Sequence, residues 1–361
     1  MANKSHYQFN ETKRVAYSTI KPWIRQIFCA NGLKEADAEI VADSLVTADA
    51  RGVYSHGILR TSIYRKRIQK GCVDVNAVPQ VIVDNAATMV VEGNNAMGQV
   101  VGQYAMEKAI EKAKVYGISF ISARGSNHYG TCAYYAQMAL AEQMIGISAT
   151  IGGGNLMAPW GGTDARVGNN PFGIAIPAEN AFPVVLDMAQ SVVAKGKIVM
   201  ATKTNTPIPK EWAFDNNGRE TTDPFEAMKG TVRPIADYKG YGIAATVGFL
   251  CSVISDAAIG LSLKDVYEDF SGGLNKGQMF IAIDLAHLTD VSAFKRRMDR
   301  EIAYIKASPP AKDMEEVYLP GELEARKQEQ QMKEGILYPI EVLDEIKEIS
   351  TKDKVKIPAG I

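Results

Sequence analysis

The apolar residues of this chain change their period twice, and that change limits what the chain can fold into. Up to about residue 78 they recur at helical spacing. From Pro79 they alternate or run in short blocks with helical stretches between them, and after Asp290 the helical spacing returns. Such a pattern specifies a central α/β layer flanked by helices from both ends of the chain.

The spacing predicts helices over 13–31, 35–50 and 56–70, stopped by Gly32, by the Arg51-Gly52 pair and by Gly71. Strands are expected at 80–83 and 88–91, joined across Asp84-Asn85, then a helix over 97–116 closed by Gly117 and a strand over 118–122. A helix over 131–144, strands over 145–151, 172–176, 184–187 and 279–283, and an Asn217-Gly218 turn follow. The last expected helices are 291–305, 322–334 and 340–348. The chain thus divides into an N-terminal helical part (1–78), a central α/β part (79–284) and a C-terminal helical part (285–361). The two helical parts are expected to pack together and keep the termini close.

A chain of 361 residues with 46% hydrophobic composition supplies a sizeable core. Its net charge of -1, with acids and bases interspersed, gives no electrostatic footprint for nucleic acid. Cys29, Cys72, Cys132 and Cys251 are scattered without a Cys-x-x-Cys pair, which speaks for reduced, mostly buried thiols rather than disulfides or zinc. Residues 1–21 carry charges throughout and lack a secretory h-region, and the apolar run 243–254 is too short to span a bilayer. A cytoplasmic protein without membrane partners is expected.

Chemistry concentrates at Ser55-His56-Gly57-Ile58-Leu59-Arg60. Ser55 is a suitable N-cap for the expected 56–70 helix, which would place His56 at the helix mouth and set Arg60 and Tyr64 at four-residue steps beyond it. A guanidinium holds a carboxylate by two parallel hydrogen bonds, and a histidine near its reference pKa of ~6.5 takes a hydroxyl proton at neutral pH. The same segment is also what a capped surface helix looks like.

No Gly-x-Gly-x-x-Gly, no Gly-x-x-x-x-Gly-Lys-Ser/Thr loop and no Gly-x-Ser-x-Gly elbow occurs, so the usual dinucleotide, P-loop and serine-hydrolase signatures are missing. Polar, glycine-rich loops at strand ends take their place. Ser126-Asn127-His128-Tyr129-Gly130-Thr131 lies between a strand and a helix, and Gly152-Gly153-Gly154-Asn155 is expected to leave backbone exposed to a ligand. Asp187-Met188-Ala189 ends an apolar strand, where its carboxylate could accept from ribose or cap a helix. Lys239 opens a small-residue helix. His6 and His287 read as surface or structural residues, and four histidines without paired acids give no metal site.

In order along the chain these segments resemble the malate/L-lactate/ureidoglycolate dehydrogenase family, the type 2 group that lacks a Rossmann fold. The matching residues are Ala48-Asp49-Ala50-Arg51-Gly52 with Ser55-His56-Gly57 and Arg60, Ser126 to Gly130, Met157-Ala158-Pro159-Trp160-Gly161-Gly162, and Gly168-Asn169-Asn170-Pro171. Later come Leu186-Asp187-Met188-Ala189, Ala194-Lys195-Gly196-Lys197, Thr222-Asp223-Pro224, Lys239-Gly240-Tyr241-Gly242 and Val317 to Glu322. The resemblance implies an NAD(P)-dependent oxidoreductase acting on a small 2-hydroxy or 2-oxo acid, with a non-Rossmann central cofactor-binding sheet, a helical domain built from both chain ends, and a homodimer.

Carried over by position, the resemblance makes His56 or His128 the proton carrier, with Ser55 in support. It makes Arg60 the ligand of the substrate carboxylate, with Tyr64 beside it. Gly152, Gly153, Gly154, Asn155, Asp187, Met188, Ala189, Lys239, Pro320, Gly321 and Glu322 are the implied cofactor contacts. Asp187 suits a ribose hydroxyl, which favours NAD, and NADP remains possible. Two departures bear on the substrate: Thr150-Ile151-Gly152-Gly153-Gly154-Asn155 replaces the family's Thr-Asn-Pro stretch, and Leu274 stands where the ureidoglycolate enzymes carry arginine. Reduction of a cyclic imino acid or a diketo sugar acid is the alternative activity, and a non-catalytic binding protein is the weakest reading.

Overall fold

The computed structural model describes residues 11–361; His6 lies outside the described residues. The chain opens with β1 (Thr12–Val15), α1 (Tyr17–Ala30), α2 (Glu35–Ala50) and α3 (Thr61–Gln69). The centre begins with β2 (Gln80–Asn85), β3 (Thr88–Glu92), α4 (Gly98–Tyr116), β4 (Ile118–Ser126), α5 (Cys132–Met138), β5 (Met144–Thr150), β6 (Phe172–Ile176) and β7 (Val184–Met188). It continues through α6 (Lys195–Thr204), β8 (Ala213–Phe214), α7 (Pro224–Lys229), β9 (Thr231–Val232), α8 (Tyr238–Gly248) and β10 (Lys276–Asp284). The chain closes with α9 (Val291–Lys306), α10 (Glu322–Glu334), β11 (Ile336–Pro339) and α11 (Ile340–Lys352).

One seven-stranded sheet, ordered β2-β3-β4-β10-β5-β6-β7, forms the centre. Among the described residues only β3 and β4 run parallel and the other neighbours are antiparallel; β10 arrives after a long excursion and inserts between β4 and β5. Side chains alternate across the strands, so Ile121, Ala123, Phe280 and Ala282 pack with α4 residues such as Val101, Ala105 and Ala109. Phe120, Met279 and Ile281 point the other way and meet Val247 and Cys251. The sheet is therefore covered on both faces.

The two chain ends meet. β1 pairs antiparallel with β11, from Thr12 opposite Pro339 to Val15 opposite Ile336. One core joins Ile20, Trp23, Ile24 and Phe28 of α1, Val41 and Leu45 of α2, and Leu343, Ile346 and Ile349 of α11. Trp23 Nε1 donates to Ser350 Oγ at 2.9 Å, and the half-buried Arg65 pairs with Asp353. α9 behaves differently, since Asp299 accepts from the backbone N–H groups of Glu179, Asn180 and Ala181, and Lys295 reaches Gln143. The 285–361 stretch is thus shared between the central layer and the N-terminal helices.

Three expectations fail locally. The first helix starts at Tyr17, because residues 12–15 are taken by a strand whose partner lies more than three hundred residues away. The 131–144 helix ends at Met138, continues as a 3-10 turn and is stopped by Gln143 at φ 58, so β5 begins at Met144. Between β7 and α8 a small subdomain gathers around Ile198, Ile208, Ala213, Ala227 and Val232, and of it the sequence showed only the Asn217-Gly218 turn, which Gly218 N closes onto Asp215 O at 3.1 Å. Among the described residues no helix is long and apolar enough to cross a membrane.

Candidate active site

The turn that carries His56 is shaped by a buried carboxylate. Tyr54–His56 and Ile58–Arg60 form two 3-10 turns separated by Gly57 at φ -87, ψ -153, and α3 begins only at Thr61. The expected 56–70 helix is therefore shorter, and Ser55 does not cap it. The cause is Asp49 near the end of α2, 1% exposed, whose Oδ2 accepts from Ile58 N at 2.9 Å and from Tyr338 Oη at 3.1 Å. Burial pushes its carboxyl up to about 8. A Cβ on Gly57 would lie 1.6 Å from Asp49 Oδ1, so glycine is required there by close approach, with no help from a left-handed φ. Gly57→Ala is expected to cost more than ~3 kcal/mol of stability. Thermal unfolding checks this; a melting temperature within ~2 °C of wild type would remove the steric account.

Five side chains, Ser55, His56, Arg60, Tyr64 and His128, converge beyond that turn. Ser55 Oγ lies 2.9 Å from His56 Nδ1, and Tyr64 Oη lies 2.6 Å from His128 Nδ1. The two imidazoles stack with centroids 5.7 Å apart and planes 24° from parallel. Arg60 donates Nε to Ser55 O at 2.7 Å, and its guanidinium sits 5.2 Å from the centre of the Tyr267 ring. The His128 loop is fixed from behind by Asn127, whose amide donates to Asn95 Oδ1 at 3.0 Å and Ala96 O at 2.8 Å. A Cβ on Gly98 would fall 2.4 Å from the Asn127 and His128 carbonyl oxygens, so the first residue of α4 lets this loop close.

The electrostatics keep both rings neutral. Burial, then the nearby Arg60 charge, lowers His56 to about 3. His128 is held well below its usual range by burial, Arg60, His56 and Lys276 in that order. Neither histidine therefore sits near its reference value, contrary to the expectation from sequence. Burial raises the Tyr64 phenol to about 12, so it stays a neutral donor. Gly130 N–H also donates to His128 Nδ1 at 3.4 Å.

The glycine loop adjoins this cluster through Lys276. Gly152 O accepts from Lys276 Nζ, while Gly152 N donates to Asn170 Oδ1 at 2.9 Å. A Cβ on Gly152 would stand 2.2 Å from Asn169 Oδ1. Gly152 and Gly154 are buried rather than exposed, which corrects the expectation for this loop. Asn155 Nδ2 donates to Gly260 O at 2.9 Å. Asn170 Nδ2 in turn donates to Ala244 O at 2.7 Å, Gln190 N to Asn169 O at 2.8 Å, and Ile235 N to Gln190 O at 2.9 Å. These bonds bring the Met188-Ala189 end of β7, the glycine loop and the start of α8 together.

The remaining expected contacts surround β7. Asp187 is exposed, and its Oδ2 accepts from Ala133 N at 2.8 Å at the start of α5, so it caps that helix. Lys239 is exposed in the first turn of α8 and lies 6.0 Å from the Tyr238 ring centre. Pro320 O accepts from Val185 N at 3.0 Å, and Gly321, at φ 81, would place a Cβ 2.5 Å from Val185 O. Glu322 is buried with its carboxylate committed to Lys306, Arg326 and Leu319 N, so it shapes the turn.

Sequence reasoning gave Asn170 and Asp49 no role, although both lie in segments it singled out, and it overlooked Lys276 altogether. The signal for Lys276 was a single cation opening an apolar strand, Lys276-Gly277-Gln278-Met279-Phe280, where a lysine is costly to bury.

Comparison with known proteins agrees with this architecture. The family model described as malate/L-lactate dehydrogenase matches residues 15–347. The L-sulfolactate dehydrogenase of Methanocaldococcus jannaschii is 37% identical over 318 residues, covering 88% of this chain and 91% of that one. The malate dehydrogenase of Pyrococcus abyssi is 35% identical over 351 residues, covering 95% and 96%. The crystal structure of malate dehydrogenase from Entamoeba histolytica superposes with a TM-score of 0.90 at 31% identity, over 96% of this chain and 100% of that one.

Proposed function

The chain belongs to the malate/L-lactate dehydrogenase family and is an oxidoreductase, and on that premise we propose that it interconverts a small 2-hydroxy acid and its 2-oxo acid with a nicotinamide cofactor. The observation that carries this reading is the pair of stacked neutral histidines with Arg60 beside them. Relatives named for malate and sulfolactate support the substrate class.

The hydrogen bonds favour different duties for the two rings. His128 Nδ1 faces two donors, the Tyr64 phenol and Gly130 N–H, so the neutral ring carries its proton on Nε2 and can donate to the substrate oxygen. In the tautomer where His56 Nδ1–H donates to Ser55 Oγ, 2.9 Å away, Nε2 keeps a lone pair to accept the hydroxyl proton. Arg60 holds the carboxylate, and the arriving anion relieves the Arg60 repulsion that, after burial, holds His56 deprotonated. In the reductive direction His56 returns that proton.

A nicotinamide held here would supply the acceptor for the hydride that leaves the carbinol carbon. The residues fit such a group: Gly153 leaves open space beside the loop backbone, with no neighbour nearer than 4.0 Å to an added Cβ, and exposed Asp187 and Lys239 offer a carboxylate and a cation. Met188, Ala189, Pro320 and Gly321 complete the lining. Asp187 makes NAD the favoured form, since a 2′-phosphate would meet its charge. We read the central sheet as a non-Rossmann cofactor domain, bounded near 79 and 284, on the strength of its single parallel pairing.

The expected homodimer is supported by exposed apolar surface. Ile243 of α8 and Phe249, Leu250, Val253, Ile254 and Leu261, between α8 and β10, are large apolar side chains left exposed. Sedimentation should give twice the chain mass; a monomer at micromolar concentration would remove this assignment. The activity itself is tested by initial-rate absorbance at the reduced nicotinamide band, with each cofactor against oxaloacetate and pyruvate. Oxidation of the cofactor by at least one acid is expected, and none with either would overturn the reading.

A further inference from the structure

Lys276 opens β10 opposite Ser126, two residues before His128 on the neighbouring strand's exit loop. It is 1% exposed, and its hydrogen bond goes to a carbonyl, Gly152 O. Among the described residues it forms no ion pair. The nearby acid, Asp265, accepts from the Tyr267 and Glu268 backbone N–H groups, and Arg67 adds a second buried cation that satisfies itself on the carbonyls of Val266, Asp269 and Gly272.

A buried ammonium without a counter-ion costs several kcal/mol, and folds keep one where a ligand completes it. Burial pulls Lys276 down to about 7, with the Asp265 carboxylate opposing that shift and the Arg67 charge adding to it. Arg60 and Lys276 come from different elements, and the charges of both reach His128. In the loop that Lys276 touches, Gly153 is the half-buried glycine, with no neighbour nearer than 4.0 Å to an added Cβ.

We propose that Lys276 is a specificity-determining residue that receives a second acidic group of the substrate, a carboxylate or sulfonate, while Arg60 holds the first. The site then selects dianionic 2-oxo and 2-hydroxy acids over monoanionic ones. This inference rests on the 2-hydroxy acid reading above.

The test compares oxaloacetate, a dianion, with pyruvate, a monoanion, in wild type and Lys276→Met, together with thermal unfolding. Wild type should prefer oxaloacetate. The variant should lose at least ~30-fold in kcat/KM on oxaloacetate, mostly through KM, and at least ~10-fold less than that on pyruvate. Its melting temperature should hold or rise, because methionine replaces an uncompensated buried charge. Equal losses on both acids, an unchanged oxaloacetate KM, or a wild-type preference for pyruvate would overturn the proposal while leaving the dehydrogenase reading intact. A fall in melting temperature accompanied by equal losses would make Lys276 a structural residue. A wild type that reduces no 2-oxo acid would sink both.

Discussion

Arg60→Lys is expected to raise the Michaelis constant for the 2-oxo acid about 10²-fold while kcat changes by less than ~3-fold. Arginine presents a planar fork that matches a carboxylate, and here the fork is pre-set. Nε is held by Ser55 O and the guanidinium plane lies near Tyr267, so its orientation is fixed before substrate arrives. A lysine ammonium offers the charge without that geometry. Because Arg60 also helps to keep His56 deprotonated, and lysine preserves the charge, the proton chemistry should survive. Steady-state kinetics with wild type and variant decide this; an unchanged constant would remove Arg60 from substrate binding.

The second large effect separates the histidines. His56→Ala should lower kcat by on the order of 10²- to 10⁴-fold and erase the pH dependence of hydroxy-acid oxidation. His128→Ala should cost on the order of 10²- to 10³-fold, as loss of one donor to the substrate oxygen does, and leave that pH dependence in place. The sign follows from His56 being lowered to about 3 in the free protein. The base is neutral above that value and is lost only as pH falls through it, so kcat/KM should decline at strongly acidic pH. Carboxylate bound at Arg60 removes part of the lowering, which moves the decline in kcat to higher pH than the decline in kcat/KM. If His128→Ala erased the pH dependence and His56→Ala kept it, the two assignments would be exchanged.

Much of the fold was legible because long periodic segments carry their own signal. α2 spans the expected residues, β6 likewise, and α4 is displaced by one residue at its start. β1 and β11 were invisible for a physical reason: four-residue strands have no local period to read, and each exists only because the other end of the chain pairs with it. The mixed sheet was also out of reach, since alternating helices and strands suggest parallel pairing, and nothing local announces that β10 inserts between β4 and β5.

The candidate site divides in the same way. The chemistry of His56, Arg60 and His128 was readable from residue type, and the structure brings them together. The conformation at His56 was not, because a buried carboxylate on α2 competes with helix formation, and that competition appears only when Asp49, Gly57, Ile58 and Tyr338 meet in space. Lys276 was missed because a lysine's burial depends on what folds over it. The glycine loop was misjudged as exposed for the converse reason: Asn169, Asn170 and Lys276 cover it.

The most direct test of the account follows the hydrogen itself. L-malate and L-lactate, each deuterated at C2, are offered to the wild-type protein with oxidised nicotinamide cofactor, and the reduced cofactor from whichever acid reacts is analysed by mass spectrometry. The account predicts that deuterium leaves C2 and is recovered in the reduced nicotinamide, with the deuterated substrate reacting more slowly than the protiated one under kcat/KM conditions. Deuterium released to water, or no reduction of either cofactor, would contradict it.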